Sequence, residues 1–319
     1  MAVLVTGAGP IGAQIARCEL ERGEKVAVLD VSPQLDALST ILQLENIRVI
    51  KGNILEPFDL IRTIRGEGIE SVIHTVANPG HIWGGYSNPY EALKINLMGI
   101  ANVLEAARVM DLKRVVFISS DALYHGLTGG GDKFAFGREN AYPRPSELYG
   151  TAKLAGEDIG LNYADMFGID FVTVRYPAVF GPWPGGGSGL PSRMFYEIVQ
   201  NHANGKPAKL LRISAELLYS KDAGRGASMA CHATDLKDRV FNIGVGKIYR
   251  PEEVMQTVLK AFPSIKIAFE DSADADRAPK ATAAMDLSRS AEQLGYQPQY
   301  NLETALVDLM DWYKTTQKK

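Results

Sequence analysis

The chain has 319 residues, of which 46% are hydrophobic and 22% charged, and its formal net charge is −3. This length and composition predict a soluble globular protein with one large domain or two unequal ones. The charge offers no basic surface for nucleic acid or anionic lipid, and no apolar run reaches membrane-spanning length or resembles a leader, so we expect a cytoplasmic protein with neither nucleic acid nor membrane as partner.

The first half of the chain alternates short β-branched runs with longer amphipathic segments. The run VLVTG precedes a helix predicted over residues 11–22, and KVAVLD precedes a helix that is predicted to continue through Leu42. The run IRVIKGN precedes a helix predicted over 58–65, and SVIHTVA precedes one predicted over 90–110. RVVFISS, a helix over 148–167 and DFVTVRY continue the series. Near-continuously apolar strands are typical of a parallel sheet with helices on both faces. The sequence predicts an α/β fold with a doubly wound, Rossmann-type parallel sheet.

A second, smaller domain is predicted from a change of pattern after Arg175. PAVFGPWPGGGSGLPSR is rich in proline and glycine, which break regular structure, and should carry the chain over a cleft. RVFNIGVG near Val240 should return to the sheet, which makes the smaller domain discontinuous. We predict a Rossmann domain of residues 1–178 and 220–246 and a substrate-binding domain of residues 179–219 and 247–319.

The first strand-to-helix junction, VLVTGAGPIGAQIA, contains Gly7, Gly9 and Gly12 in G-x-G-x-x-G spacing. Such glycines allow a tight turn and let a pyrophosphate approach the positive end of a helix, although a glycine turn can also bind nothing. Asp30 closes the second strand, where a carboxylate binds ribose hydroxyls and repels a 2′-phosphate. The pair of motifs predicts NAD as the cofactor; the alternative for Asp30 is a plain turn residue.

A tyrosine and a lysine four residues apart occur twice, as Tyr149 with Lys153 and as Tyr90 with Lys94. Spacing alone cannot separate the pairs. Tyr149 follows the strand RVVFISS, whose Ser120 should lie at the carboxyl edge where ligands bind in open α/β sheets. A phenol is a poor base at neutral pH, but an ammonium one helical turn away stabilises its phenolate. We therefore predict that Tyr149 takes a hydroxyl proton while Ser120 holds the substrate oxygen.

In their order, the glycine turn, Asp30, HTVA, INLMGIANVLEAA, SSDALY, YGTAK and RYPAVFGP resemble the extended short-chain dehydrogenase/reductases, the NAD-dependent epimerase/dehydratase family. The resemblance covers nearly the whole chain, strongly to about Pro182 and loosely thereafter through NIGVGKIY and LGYQP. It implies NAD, a catalytic triad of Ser120, Tyr149 and Lys153, and no role for Tyr90 and Lys94. It also implies that Tyr149 and Lys153 contact the cofactor. Further cofactor contacts that it implies are Pro10, Ile11, Asn53, Ile54, Val76, Ala77, Asn96 and Tyr176.

Several positions depart from the family pattern. The glycine turn is one residue shorter than usual, Asn53 stands where Asp is common, and His125 replaces the glycine after SSxxxY. Family dehydratases follow the serine with Asp and then Glu, whereas Asp121 is followed here by Ala122, which argues against dehydration. Nucleotide-sugar enzymes tend to have Asn where this chain has Ala178, and a glycine-rich strand where it has AKLLRISAELLYSKD, so a nucleotide sugar is not the preferred substrate.

Candidate substrate contacts come from the serine strand and from loops predicted to face the cleft: His81, Trp83, Asp121, Ala122, Trp183, Arg193 and Arg277. Aromatic rings with a few polar groups suit a sugar-like or ring substrate, although both tryptophans could equally be core residues. Arg277 could hold a diphosphate, clamp a carboxylate or be a solvated charge. Cys18 and Cys231 are far apart and the five histidines do not cluster, so we expect no disulfide framework and no metal.

Together these features predict an NAD-dependent oxidoreductase acting on a secondary hydroxyl or ketone of a small carbohydrate-like molecule. The alternative is a nucleotide-sugar 4-epimerase that retains NAD, and a third hypothesis is a noncatalytic NAD-sensing protein. In relatives the helices corresponding to 90–110 and 148–167 pair across a two-fold axis, which implies a homodimer. The first of these helices has more apolar residues than the packing of one helix face requires, which favours a subunit contact; they include Leu97, Ile100, Val103 and Leu104. The alternative is that these side chains are buried against the sheet.

Overall fold

The computed structural model describes residues 1–79, 88–125, 137–187, 189–270 and 284–317. Its strands are β1 Ala2–Thr6, β2 Lys25–Asp30, β3 Arg48–Lys51, β4 Ser71–His74, β5 Arg114–Ser120, β6 Phe171–Tyr176, β7 Ala178–Phe180, β8 Ala208–Leu211, β9 Ala215–Tyr219, β10 Val240–Asn242, β11 Ile248–Tyr249 and β12 Ile267–Glu270. Its helices are α1 Pro10–Glu21, α2 Leu35–Ser39, α3 Pro57–Glu67, α4 Pro89–Leu93, α5 Gly99–Val109, α6 Leu148–Phe167, α7 Leu190–Ala203, α8 Ser220–His232, α9 Pro251–Ala261, α10 Ser288–Leu294 and α11 Leu302–Thr316.

Seven strands form one parallel sheet in the order β10-β6-β5-β4-β1-β2-β3. Helices α1 and α8 cover one face, and α3, α5 and α6 cover the other, with a separate apolar core under each layer. The strand order reverses between β1 and β4, and ligands bind outside the carboxyl ends of the strands at such a point. This arrangement confirms the predicted doubly wound α/β fold.

A smaller layer lies beyond the carboxyl end of β6. Strands β7, β9 and β11 form one small sheet and β8 with β12 another, and α7, α9 and α11 pack around a core of their own. Strand β10 returns to the main sheet, parallel to β6, as the sequence predicts. The exact division into two domains stays a prediction.

Two predicted helices differ clearly from the observed ones, and the bounds of the other predicted helices in the first half agree to within two residues. Helix α2 ends at Ser39 rather than Leu42, and Thr40 Oγ1 donates to the Ala37 carbonyl at its end. The helix predicted over 90–110 contains a π turn, Lys94–Met98, between α4 and α5. The π turn contains Asn96, whose buried amide bonds both the N–H and the carbonyl of Asn78, each at 2.8 Å. Helix α6 has the predicted bounds.

The apolar side chains of α5 pack mainly against the sheet. Ile100, Val103 and Leu104 are at most 1% exposed, so the alternative explanation of these residues is correct and they are no evidence for a subunit contact. Other large apolar side chains on α4 to α6 are exposed: Tyr90, Met98, Val109, Leu148, Met166 and Phe167. Among the described helices, none is long and apolar enough to cross a membrane.

Candidate active site

The turn between β1 and α1 is built by glycines at the two positions where a side chain cannot fit. Gly7 has φ +95°, which disfavours other residues, and its N–H donates to the Leu29 carbonyl at 2.8 Å. A Cβ on Gly12 would lie 1.9 Å from the Gly7 carbonyl oxygen. Beside Gly9, by contrast, a Cβ would meet no described atom within 4 Å. The turn therefore leaves the positive N-terminus of α1 accessible to a phosphate group.

Asp30 lies beside this turn at the carboxyl end of β2. Its Oδ2 accepts a hydrogen bond from Ala8 N and its Oδ1 accepts one from Ser32 N, both at 2.8 Å. These bonds fix the carboxylate at the sheet edge, and each oxygen keeps a further lone pair for a ribose hydroxyl. The geometry fits the adenosine half of a dinucleotide. Pro10 and Ile11, the next residues of the turn, open helix α1.

The segment after β4 forms the opposite side of the turn. A Cβ on Gly7 would lie 3.2 Å from Val76 Cγ2, so Val76 contacts the glycine turn directly. Ala77 follows it, and Asn96 holds the next residue by both backbone groups. The Asn96 side chain thus orders this segment. A cofactor contact of Asn96 would have to form while its amide group is hydrogen-bonded to the backbone of Asn78. Its assignment as a direct cofactor contact stays a prediction.

Asn53 and Ile54 follow β3 on the same side of the sheet. Asn53 Oδ1 accepts a hydrogen bond from Leu55 N at 3.0 Å, which shapes the turn into α3. Ile54 is 5% exposed and belongs to the core with α3 and α5. The turn is therefore well fixed, and the predicted contacts of both residues with the cofactor remain to be tested.

The start of α6, which carries Tyr149 and Lys153, packs on the segment that follows Ser120 at the end of β5. A Cβ on Gly150 would lie 2.7 Å from the Ala122 carbonyl oxygen, so only glycine lets the helix approach this closely. Lys153 Nζ lies 5.7 Å from the centre of the Tyr149 ring. The fold thus brings the three predicted catalytic residues to one site at the carboxyl edge. Tyr90 of the other pair is 76% exposed on α4, and the absence of a role for that pair stays a prediction.

Lys153 is a buried cation, with only 3% of the residue exposed. Its Nζ donates to the Ile118 carbonyl at 2.6 Å and lies 4.7 Å from the centre of the Phe117 ring. Burial lowers the pKa of Lys153 to about 7, against the opposing charge of Glu157. Its ammonium is therefore poised near neutral pH, where a small electrostatic change alters its protonation.

A buried ion pair, which the sequence prediction did not include, anchors this helix. Arg175 Nη2 donates to Glu157 Oε2 at 2.6 Å, and both side chains are at most 4% exposed. Arg175 Nη1 also donates to the Tyr124 hydroxyl at 2.5 Å. The network joins α6, β6 and the segment after Ser120. The one sequence signal for it is the position of Glu157, four residues after Lys153 on the same helix face.

Two predicted contact residues are largely buried. Tyr176 donates its hydroxyl to the Ala223 carbonyl of α8 at 2.6 Å. Trp183 is 5% exposed and packs in the core with Tyr176, which favours the alternative of a core residue. The contacts of Tyr176 with the cofactor and of Trp183 with the substrate stay predictions. Both side chains are apolar enough to gain more from burial than from solvent contact.

The remaining predicted substrate residues are divided between the site, the surface and the undescribed segments. Asp121 and Ala122 follow Ser120 directly, and Ala122 is buried. Arg193 is exposed on the first turn of α7. His81, Trp83 and Arg277 lie outside the described residues, so the structure assigns them no position.

Asp121 connects Ser120 to His125, which the sequence marked only as a departure from the family pattern. Ser120 Oγ donates to Asp121 Oδ1 at 3.3 Å, and Asp121 Oδ2 lies 3.5 Å from His125 Nε2. Burial alone would lower the pKa of His125, but its bond to Asp121 and the nearby carboxylates outweigh burial, so the pKa is raised. The contact with Asp121 thus favours the imidazolium form of His125 beside the serine.

Comparison with known proteins finds similarity over nearly the whole chain. The sequence model of the NAD dependent epimerase/dehydratase family matches residues 3–244. UDP-glucuronate 4-epimerase 1 from Arabidopsis thaliana is 24% identical over 98% of this chain and 76% of its own length.

Solved structures share the fold over their full length. UDP-glucose 4-epimerase from Thermotoga maritima, solved with UDP-glucose, has a TM-score of 0.82 and 22% identity, covering 99% of this chain and 100% of that one. A GalE-like L-threonine dehydrogenase from Cupriavidus necator has a TM-score of 0.84 and 24% identity, covering 98% of this chain and 99% of that one. The fold is therefore shared by enzymes with nucleotide-sugar and with small-molecule substrates.

Proposed function

Because the chain belongs to the NAD-dependent epimerase/dehydratase family and NAD is its cofactor, we propose that it oxidises or reduces a secondary hydroxyl or ketone of a small carbohydrate-like molecule. The observation that carries this proposal is the packing of the Tyr149–Lys153 turn on the Ser120 segment, at the carboxyl edge of the sheet. A noncatalytic NAD sensor would not need a base and a buried ammonium there.

Each residue of the site has a definite task. The glycine turn and the N-terminus of α1 bind the diphosphate, and Asp30 binds the adenosine ribose. NAD, when bound, supplies the hydride acceptor or, once reduced, the donor. Tyr149 takes the proton of the substrate hydroxyl, or returns it in reduction, while Lys153 stabilises the phenolate and Ser120 orients the substrate oxygen.

A small substrate is favoured over a nucleotide sugar by the surroundings of β7 and β9. Ala178, at the start of β7, offers no side-chain hydrogen bond. In β9 the buried carboxylate of Glu216 accepts the N–H groups of Val245, Gly246 and Met285 at 2.6 to 2.8 Å. Those three donors are consequently not available to a phosphate. Burial raises the pKa of Glu216 to about 7, so its negative charge, which would repel a phosphate, is fully developed only above that pH. A diphosphate would find few fixed partners among the described residues here.

The alternative is a nucleotide-sugar 4-epimerase that retains NAD. The names of the Arabidopsis relative and the Thermotoga structure support it, since both are UDP-sugar 4-epimerases. Ser120, Tyr149 and Lys153 serve either reaction. The difference lies in whether NADH is released, because an epimerase must keep it until the keto intermediate is reduced again.

Substitution of the tyrosine in each of the two Tyr–Lys pairs tests the proposed catalytic residues. Tyr149→Phe removes the proton acceptor and should lower turnover by about 10²- to 10⁴-fold with little change in NAD affinity. Tyr90→Phe is the matched control and should change neither quantity. Turnover is measured from NADH formation with free sugars and L-threonine, and from product analysis with UDP-glucose and UDP-glucuronate. Equal losses in the two variants would contradict the assignment.

The choice between the two reactions is tested by cofactor release. We expect added NAD to be reduced stoichiometrically by a small secondary alcohol or free sugar derivative. Protein that carries NAD through gel filtration and interconverts UDP-glucose and UDP-galactose without added cofactor would establish the alternative. Neither result depends on the tyrosine variants.

We also propose that the protein is a homodimer formed through α4, α5 and α6. The support is the set of exposed apolar side chains on these helices, among them Met98, Val109 and Met166. Large exposed apolar areas of a soluble protein commonly mark an interface. The cytoplasmic location expected from the sequence stays a prediction.

A further inference from the structure

The side chains of Ser120, Asp121 and His125 form a continuous chain at the edge of the active site. Ser120 Oγ donates to Asp121 Oδ1 at 3.3 Å and accepts from Ala122 N at 3.2 Å. On the other side of the carboxylate, Asp121 Oδ2 lies 3.5 Å from His125 Nε2. Asp121 therefore has the serine hydroxyl on one oxygen and an imidazole on the other.

This arrangement creates a competition for the single proton of Ser120. A hydroxyl donates only one hydrogen bond, and Ser120 needs that bond to hold the substrate oxygen. In the structure the proton is directed at Asp121 instead. An ionised carboxylate is a strong acceptor, so an isolated Asp121 would draw the proton away from the substrate.

The protonation state of His125 determines how strongly Asp121 competes with the substrate oxygen for the Ser120 proton. As an imidazolium it neutralises the carboxylate and takes part of its acceptor capacity. The charged form is favoured here, because Asp121 and the nearby Glu147 outweigh the effect of burial and raise the pKa of His125. Glu216 is a further carboxyl group near Asp121: burial and, to a smaller extent, the charge of Asp121 raise the pKa of Glu216 to about 7.

We propose that His125 is a positioning residue that acts through Asp121: its imidazolium holds the carboxylate and leaves the Ser120 proton free for the substrate oxygen. The inference rests on the proposed function of Ser120. His125 transfers no proton in this scheme. His125 stands where the family that the sequence resembles has glycine, so the device adds to the triad of Ser120, Tyr149 and Lys153.

The first test is a pH profile of His125→Asn with the panel compound that supports turnover. Below the pKa of His125 the variant should lose about tenfold in kcat, the size of one hydrogen bond to a charged group, with KM for NAD unchanged. Above that pKa wild type has lost the same charge, so the two profiles should converge. His202→Asn, on α7 and stacked on Phe262, is the control and should match wild type.

A second substitution separates positioning from a structural effect. Asp121→Ala removes the competing acceptor, so at saturating substrate the double variant His125→Asn/Asp121→Ala should recover part of the lost kcat, while loss of the predicted substrate contact of Asp121 raises KM for the substrate. A loss of kcat that is equal at every pH, or that grows in the double variant, would overturn the inference. If Tyr149→Phe keeps full activity, the proposed function fails instead, which distinguishes the two failures.

The charged pair can also be tested without any substrate. In NMR titrations of the ¹⁵N-labelled protein, Asp121→Ala should lower the pKa of His125 by about one unit or more, while the His202 signal keeps its own pKa. Comparison with His125→Asn assigns the signal. An unchanged His125 pKa in Asp121→Ala would refute the pairing, whatever compounds the enzyme accepts.

Discussion

At the scale of single residues, we predict that Asp30 decides between NAD and NADP. Its carboxylate is fixed by Ala8 N and Ser32 N at the carboxyl end of β2, where we expect a 2′-phosphate to lie. We expect NAD to bind at least about tenfold more tightly than NADP, or about 1.4 kcal/mol. In calorimetric titrations Asp30→Ala should remove this preference, whereas Asp36→Ala, an exposed change on α2, should keep it. Equal affinities in wild type would exclude this role for Asp30.

Lys153 makes the stability of the protein depend on pH. Burial lowers its pKa to about 7, whereas in the unfolded chain it is near 10.4. Between these values the unfolded chain binds the proton and the folded chain does not, so this residue makes stability rise with pH. Below pH 7 the folded protein bears the full cost of the buried charge.

This linkage is measured by comparing wild type with Lys153→Met. From pH 7 to pH 10 the stability of wild type should rise relative to the variant, and below pH 7 the difference should be constant. Chemical denaturation at several pH values gives the slope, which is insensitive to any constant loss of packing. Parallel curves for both proteins would show that the Lys153 pKa is not lowered.

At the scale of elements, the Glu157–Arg175 pair holds α6 against β6. Removing one partner leaves the other as an unpaired buried charge, so Arg175→Met should cost about 3–5 kcal/mol of unfolding free energy. Glu157→Leu in the same protein should recover much of that loss, because neither charge then remains. Arg108→Met breaks an exposed pair with Glu105 on α5 and is the control, with a much smaller effect.

Urea unfolding followed by circular dichroism measures these differences. The pair also positions Tyr124 and with it the segment that carries Ser120. Arg175→Met should therefore reduce turnover more than Arg108→Met does, even in the fully folded protein. A loss for Arg175→Met no larger than that of its control would show that the ion pair does not anchor the helix.

At the scale of the whole molecule, the exposed apolar side chains of α4 to α6 predict the assembly. Light scattering at micromolar concentration should give twice the mass of the chain. Met98→Glu together with Met166→Glu places charges on this surface and should give a monomer, since buried unpaired charges are costly. Phe58→Glu changes an even more exposed apolar residue, on α3, and should leave the dimer intact. A monomeric wild type would refute the proposal.

The sequence by itself determined the features that depend on neighbouring residues. Alternating apolar runs and amphipathic segments specify strands and helices locally, so the parallel sheet and the bounds of α6 were predictable. Gly7 and Gly12 were recognisable because a tight turn excludes side chains. Tyr149 could be separated from Tyr90 because only one of them follows a serine-bearing strand.

Tertiary structure alone decided which charged and aromatic groups meet. Glu157 and Arg175 belong to different elements, and their pairing follows from how α6 packs on the sheet. The hydroxyl of Tyr176 bonds α8, 47 residues away in the chain, and Trp183 is in the core. Such contacts depend on burial and close approach between distant segments, which no local pattern encodes. The raised pKa of His125 likewise follows from the proximity of Asp121 and of Glu147, which lies beyond residues 126–136 in the chain.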